Sequence, residues 1–414
     1  MHGNQILTLG LGLQEPWKII DQILETDKQP HVLRLTVKAD RGGEFPCPVC
    51  GRLCKAHDFK TMTWRHLNFF QHHCYITAQV PRVRCSEHGV KRIKVPWARK
   101  GSRFTLLFEQ FSMALVREMP VLAAAKIIGI TDKRLWRIVQ YYVSKSLVNL
   151  LLDDLTAFGL DETASKRGHN YVTVFIDLDR KDKPIIFATA GKGKGTVRAF
   201  KQFLQQHGGD PENILEVVCD MSPSFLAGLK EEFPEAETTV DWFHVVQLFT
   251  NAVDAVRRNE AKKRKLPKGI RWAVLKNSES NLTASQAKAL QELNETGTFT
   301  CTAWKVKEKL RWVTKATSLR SAKWRLTHFI RHIYDTLYYD PILEPVFKAL
   351  ETLVRHKNKI AARWNSGHTN ARLEGLNGLF QAARARARGY RNTATFITMI
   401  YLIAAPIDIL LKST

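Results

Sequence analysis

Two short ligand pairs constrain the fold of this chain more than any other feature. Cys47-Pro-Val-Cys50-Gly51 sets two thiols two residues apart, and Cys85-Ser-Glu-His88-Gly89 repeats the arrangement 35 residues later. Each pair can take two corners of a zinc tetrahedron, and the glycine after it permits the tight turn around the metal. Four protein ligands leave no corner for a catalytic water, so Zn2+ here would hold a fold together. Cys54, His57 and Cys74 are alternative ligands, but the first two follow Cys50 too closely to replace the far pair. Short β-like runs, Val32 to Val37 and Tyr75 to Val83, complete a small zinc module whose cations, Arg65 among them, would face DNA.

Charge names the class of partner. The 414 residues carry a net +24 with 44% hydrophobic residues, so the chain folds and surrounds itself with a strong positive field. Nucleic acid is the first candidate, ahead of an anionic membrane surface. Seven cysteines are too few for a disulfide scaffold, and the start of the chain lacks the pattern of a secretory signal. A reducing cytoplasmic setting is expected, close to the bacterial nucleoid, with no membrane partner. Ala394 to Leu411 is broken by Pro406 and Asp408 and reads as a buried terminal helix, too short to span a bilayer.

After the zinc module the spacing becomes helical. Val121 to Ile128, Gly129 in a turn, and a second helix capped by Thr131 or Asp132 form a helix-turn-helix pattern. Ala125 is small where the helices approach, and Lys133, Arg134 and Arg137 lie near the start of the second helix, where major-groove docking needs cations. An ordinary helical hairpin would use the same small residues and the same glycine.

Between Leu155 and His244 the pattern is three strands, then helix, strand, helix, strand, which predicts a mixed sheet with helices packed on it. Asp161 closes the first of these strands and Asp220 follows the fourth. Glu374 lies in a helical segment with Asn370 and Asn377 on its own face. Three acids without a matching lysine repel one another unless divalent cations join them, and two Mg2+ ions about 4 Å apart suit phosphodiester chemistry. Taken singly, each acid could instead be a helix cap, a turn residue or a solvated side chain. Asp241 tempts as a further ligand and His244 as a local base, although Asp241 could equally cap the next helix. The 154 residues from Asp220 to Glu374 require an extra, helical domain that leaves the sheet and returns.

The segments Asp161-Glu-Thr-Ala-Ser-Lys-Arg-Gly-His-Asn-Tyr171, Val218-Cys-Asp220, Asp241-Trp-Phe-His-Val245, Asn370-Ala-Arg-Leu-Glu-Gly-Leu-Asn377 and Arg384-Ala-Arg-Ala-Arg-Gly-Tyr390 closely resemble the bacterial insertion-sequence transposases of the ISL-three family. The resemblance runs from Cys47 to about Phe396. It implies a DDE enzyme with an α/β, ribonuclease H-like mixed sheet, interrupted by an all-α insertion and preceded by a zinc finger and a helix-turn-helix region. Asp161, Asp220 and Glu374 then take the catalytic positions and hold Mg2+ or Mn2+, while Cys47, Cys50, Cys85 and His88 hold zinc. Fingers of this kind often place cysteine where His88 stands.

The expected domains are 1–98 for the zinc finger, 99–153 for the helix-turn-helix, 154–244 for the first part of the core, 245–366 for the insertion and 367–414 for the closing helices. DNA contacts are expected from Lys133, Arg134 and Arg137, from Lys166 and Arg167 beside the first acid, from Lys262, Lys263, Arg264 and Lys265 in the densest basic run, and from Arg386, Arg388 and Arg391. The expected reaction is hydrolysis at the terminal inverted repeats, then strand transfer of the 3'-hydroxyl into target DNA by a homodimer. A zinc-bearing helix-turn-helix regulator without catalysis, and a nuclease that never joins strands, are the rival readings.

Overall fold

Alternating burial turns most of the N-terminal region into sheet. The computed structural model describes residues 3–13, 15–27, 29–39, 42–166, 168, 170–276 and 282–406, and the chain divides into two units, one ending at Tyr141 and one beginning at Tyr142. The first unit opens with α1 (Gly3–Gly10) and continues through β1 (Trp17–Glu25), β2 (Val32–Ala39), β3 (Glu44–Pro46), β4 (Leu53–Phe69), β5 (His72–Cys85) and β6 (Gly89–Arg92). These strands pair in the order β1-β2-β5-β4-β3, with β6 on β5. Leu35, Val37, Ile76, Ala78 and Val80 are fully buried under Trp64 and Trp97.

The sheet is larger than the small module expected, because β1 and the 17-residue β4 carry too many charged and polar residues to stand out as strands. Arg65 corrects the expectation of an outward cation. It is 5% exposed, and its guanidinium lies over the Tyr75 ring and bonds the Cys74 carbonyl.

Three helices follow: α2 (Leu106–Glu118), α3 (Val121–Ile128) and α4 (Asp132–Val148). Gly129 ends α3 in the left-handed region at φ 70°, where a glycine costs least. Ala125, Leu135, Ile138 and Val139 are buried, while Lys133, Arg134 and Arg137 are exposed at the start of α4, as the helix-turn-helix pattern requires.

In the second unit a meander of β7 (Ala157–Lys166), β8 (Asn170–Asp177) and β9 (Ile185–Ala190) is extended by two crossovers. They run through α5 (Lys194–Gln206) to β10 (Glu216–Cys219) and through α6 (Pro223–Glu232) to β11 (Glu237–Val240). The order is β11-β10-β7-β8-β9. The meander is antiparallel and the two added strands are parallel to β7, which is the ribonuclease H-like arrangement. Phe158, Phe175, Phe200 and Phe225 fill the layer between this sheet and its crossover helices. One expectation is corrected: Asp161 does not close its strand but sits in the middle of β7, opposite Val174. Ser165 and Lys166 therefore belong to the end of this strand. Arg167 lies outside the described residues.

The chain leaves the sheet through α7 (Trp242–Ala261) and continues as α8 (Ile270–Leu275), α9 (Ala284–Glu295), α10 (Phe299–Lys309), α11 (Arg311–Thr314), α12 (Leu319–Thr336) and α13 (Glu344–Ala362). These helices bury a core of their own around Phe249, Val256, Leu293, Leu326 and Leu353. Buried Glu260 ties α7 to α10 by accepting from Thr300 N at 2.7 Å and Phe299 N at 3.0 Å. Lys262, Lys263, Arg264 and Lys265 are exposed just after α7, with Arg264 paired to Glu260.

The chain then returns as α14 (Ala371–Arg386) and α15 (Thr393–Ala404). Tyr401 Oη on α15 accepts from Ala188 N of β9 at 2.8 Å, so the apolar closing helix packs back on the sheet. The part of that expected helix after Pro406 lies outside the described residues. No described helix is long and apolar enough to cross a membrane.

Candidate metal centres

The two ligand pairs of the first unit meet. Cys47, Cys50, Cys85 and His88 bring one ligand atom each to within 4.8 Å of the others. Cys50 and Cys85 sulfurs are 3.8 Å apart, and His88 Nδ1 lies 3.5 Å from Cys85 Sγ and 3.9 Å from Cys47 Sγ. A tetrahedron with Zn–S bonds of about 2.3 Å has S–S edges of about 3.8 Å, so the donors fit zinc. Gly51 and Gly89 take φ values of 74° and 67°, as each tight turn demands. Hydrogen bonds from His88 and from nearby backbone hold the Cys85 thiol down to about 6, in the range of a ready thiolate ligand. Of the alternatives, Cys74 is buried in the sheet core, where burial pushes its thiol up to about 11. Cys54 lies beside the cluster, close to Cys85, but turns its thiol to the Arg52 carbonyl and is not one of the four grouped ligands.

In the second unit the sheet register sets three aspartates in a row. Gly159 on β7 is level with Val218 on β10, which is level with Thr239 on β11. Two residues on, each strand reaches an aspartate, namely Asp161, Asp220 and Asp241. The parallel crossovers thus create a level that no local motif contains. Asp220 Oδ1 accepts from Ser222 N at 2.9 Å. Asp241 occupies the cap position of α7 but makes no capping hydrogen bond, so the capping role weighed from sequence is not the one its side chain plays.

Helix α14 lies along β7 and fastens to it through polar side chains at helical spacing. Asn370, fully buried just before the helix, donates from Nδ2 to Leu160 O at 3.1 Å and Val218 O at 3.2 Å, bridging the strands of the first two aspartates. A side chain at Gly159 would collide with Asn370. Asn377 Nδ2 donates to Asp161 Oδ2 at 2.8 Å, Gln381 to Thr163 Oγ1 at 2.7 Å, and Arg384 to Ala164 O. The face expected to carry Glu374 and two amides is present. The spacing 370, 374, 377, 381, 384 is the signal that could have revealed the whole docking stripe in advance.

The stripe delivers Glu374 to Asp241 and His244, and the ligand atoms of these three lie within 4.8 Å of one another. Burial, then the nearby charges of Asp241 and Asp161, push the Glu374 carboxyl up to about 8. Burial also raises Asp161, against the opposing pull of His244, with Asp220 and Asp241 adding to the rise. Asp241 Oδ2, His244 Nε2, Glu374 Oε1 and Asn377 Oδ1 are buried with no hydrogen-bond partner. Converging, unpartnered oxygen and nitrogen donors among crowded carboxylates fit a divalent cation. Asp220 belongs to the row of aspartates and acts electrostatically on Asp161, but it is not one of the three tightly grouped ligands.

The remaining expected DNA contacts fall in three exposed places. Lys133, Arg134 and Arg137 lie on α4, Lys262 to Lys265 after α7, and Arg386, Arg388 and Arg391 near the end of α14. Lys166 joins the last group by donating to the Arg391 carbonyl at 3.0 Å.

Comparison with known proteins gives the same division of the chain. Residues 44–88 match the zinc-finger of the transposases of IS204, IS1001, IS1096 and IS1165, and residues 83–143 match the helix-turn-helix domain of transposase family ISL3. Residues 158–400, more than half of the chain, match the ISL3 DDE transposase domain. The transposase for insertion sequence element IS1001 of Bordetella parapertussis is 24% identical over 370 residues, covering 86% of this chain and 87% of its own length. The transposase for IS1557 of Mycobacterium tuberculosis is 27% identical over 395 residues, with coverages of 87% and 85%. The zinc-ligand cluster, the helix pair after it and the acid-bearing sheet with its returning helix belong together: the chain is a member of the ISL3 family of DDE transposases, a metal-dependent DNA-cutting enzyme.

Proposed function

We propose that Asp161, Asp220 and Glu374, joined by Asp241, hold a pair of Mg2+ or Mn2+ ions, and that Cys47, Cys50, Cys85 and His88 hold a structural Zn2+. The observation that carries this reading is the meeting of Asp241, His244 and Glu374 beside Asp161, with donor atoms buried and unpartnered. Divalent ions at such a site activate an attacking oxygen and stabilise the leaving one. The chain supplies the rest. Asn377 fixes the Asp161 carboxylate, Asn370 fixes the helix that carries Glu374, and the cations Lys166, Arg386, Arg388 and Arg391 neutralise phosphates beside the acids.

In the first step water attacks the phosphodiester at the element end, and the bond to the 3'-oxygen breaks to leave a 3'-hydroxyl. In the second, that hydroxyl attacks a target phosphodiester and displaces the target's own 3'-oxygen, so no covalent protein intermediate is needed. The zinc finger and helix-turn-helix, with Lys133, Arg134 and Arg137, recognise the terminal inverted repeats. The basic run Lys262 to Lys265, with Arg167, the residue after Lys166 in sequence, adds phosphate contacts. Two ends must be joined in one event, so the working form is a homodimer.

The test is incubation with terminal-repeat duplexes, a plasmid target and Mg2+ or Mn2+, scored for nicks and joined products. Wild type yields both, and Asp161→Ala, Asp220→Ala and Glu374→Ala each lose both while still binding the ends. Nicks without joined products would support a nuclease, and end binding without metal-dependent cleavage would support a regulator.

A further inference from the structure

A cavity of about 320 Å3 opens beside the acidic cluster, inside the second unit, and Asp241 and Glu374 form part of its wall. The opposite side comes from the first turn of α7, from α10 and α11, and from Arg363 after α13. Phe243 stands in this wall with 44% of its surface exposed, whereas the adjacent Trp242 is buried edge-on against Trp364. Phe243 meets the His244 ring edge-on at 5.5 Å, and its exposed surface is where a planar group would stack.

Of the three cations lining the cavity, one is spent by the fold. Lys307 gives its ammonium to the Val274 and Lys276 carbonyls. Arg311, however, bonds Glu308 through Nε at 3.0 Å and keeps Nη2 buried without a partner. Arg363 lies over the Trp364 ring, 5.9 Å from its centroid, and makes no ion pair among the described residues. Apart from the two carboxylates assigned to the divalent ions, Glu308 is the acid lining the cavity, and it is shared between Lys307 and Arg311. An exposed ring, unspent guanidinium groups and an excess of positive charge within one cavity match a single nucleotide, whose base stacks and whose phosphate pairs.

We propose that this cavity receives the nucleotide next to the scissile phosphate, unstacked from the duplex, with its base on Phe243 and its phosphate on Arg311 and Arg363. The inference rests on the metal-dependent cleavage proposed above. Because Asp241 and Glu374 line the cavity, a phosphodiester held at them would have its neighbouring nucleotide at the cavity's mouth. Unstacking is costly, and the aromatic and cationic lining would offset it.

The test places 2-aminopurine at successive positions around the cleavage site of a terminal-repeat duplex and binds it to Asp161→Asn protein in Mg2+, which should not cut. Fluorescence should rise at one position adjoining the cut and stay low elsewhere, and adding Phe243→Ala should remove the rise. In cleavage assays, Phe243→Ala should slow fully paired ends about tenfold, Phe243→Trp should retain the rate, and a mismatch at the responsive position should restore part of the loss. Uniformly low fluorescence, or equal cleavage by wild type and Phe243→Ala, would overturn the pocket while leaving metal-dependent cleavage intact. Unstacking by a wild-type protein that never cuts would instead sink the cleavage reading and spare the pocket.

Discussion

The two metal-ligand clusters of this protein are assembled by opposite routes. Zinc ligands come from two tight turns, each with its glycine, brought together by strands within one sheet. The acids come from neighbouring strands separated by crossovers and from a helix that returns after the whole insertion. The first cluster is a local motif used twice, and its two turns are joined by the sheet and by Arg52, which bonds Ser86 and Glu87, leaving the four ligand atoms for the metal to bind. The second is a product of topology, and its members are held close whether or not a cation is present. Consequently the zinc site should be a source of stability, and the acidic site a store of electrostatic repulsion.

The largest expected difference is in the sign of a mutational effect on stability. Cys47→Ala should destabilise the first unit by several kcal/mol and release zinc, because metal binding and folding are coupled in such modules. Glu374→Gln should instead raise the melting temperature of the metal-free protein slightly, because it removes one of the crowded carboxylates. Thermal melts of both variants, with zinc retained in the second, check the pair of signs. A Glu374→Gln protein that melts well below wild type would break the contrast.

The next effect concerns the docking of α14. Asn370→Leu leaves two buried strand carbonyls, Leu160 and Val218, without this partner, and should cost about 2 kcal/mol and most of the cleavage activity. Gly159→Ala acts on the same joint from the other side, pressing a methyl group against Asn370, and should cost about 1–3 kcal/mol. Denaturant titration measures both, and near-additive losses in the double variant would show that the two residues do not share one joint.

The smallest effect is a pH dependence. His368, two residues before Asn370, bonds Glu216 Oε2 at 2.9 Å and Asp179 Oδ1 at 3.1 Å. Burial works against its charged form, but the bonds and charges of these two acids outweigh it and raise its pKa. A group with a raised folded pKa contributes stability that is complete below its unfolded value, near 6.5, and is lost as pH rises through the folded value. The second unit should therefore loosen slightly from about pH 6.5 upward, and His368→Gln should flatten that slope in pH-dependent melts.

What was legible in the sequence follows the same division. Cys47, Cys50, Cys85 and His88 stood out by spacing alone, as did the left-handed Gly129 between α3 and α4. The strands and helices from β7 to β11 emerge because strands such as β8 and β9 are short apolar runs and α5 carries its apolar residues on one face. β1 and β4 escaped because one face of each is charged or polar, so their alternation looks like loop. Asp161, Asp220 and Glu374 were recognisable as isolated acids, but Asp241 could not be told from a helix cap, since only the β10–β11 register places it level with the others. Asn370, Gln381 and Arg384 act across more than 150 residues of chain, and no local window links them to Leu160, Thr163 and Ala164.

Manganese binding followed by electron paramagnetic resonance on zinc-loaded protein tests the central claim most directly, because it reads the acidic cluster without needing DNA or cleavage. Wild type should bind Mn2+, and Asp241→Asn and Glu374→Gln should each weaken that binding by at least about tenfold with the zinc content unchanged. Glu374→Gln protein that takes up Mn2+ as tightly as wild type would contradict the account, since the returning helix would then contribute nothing to the site.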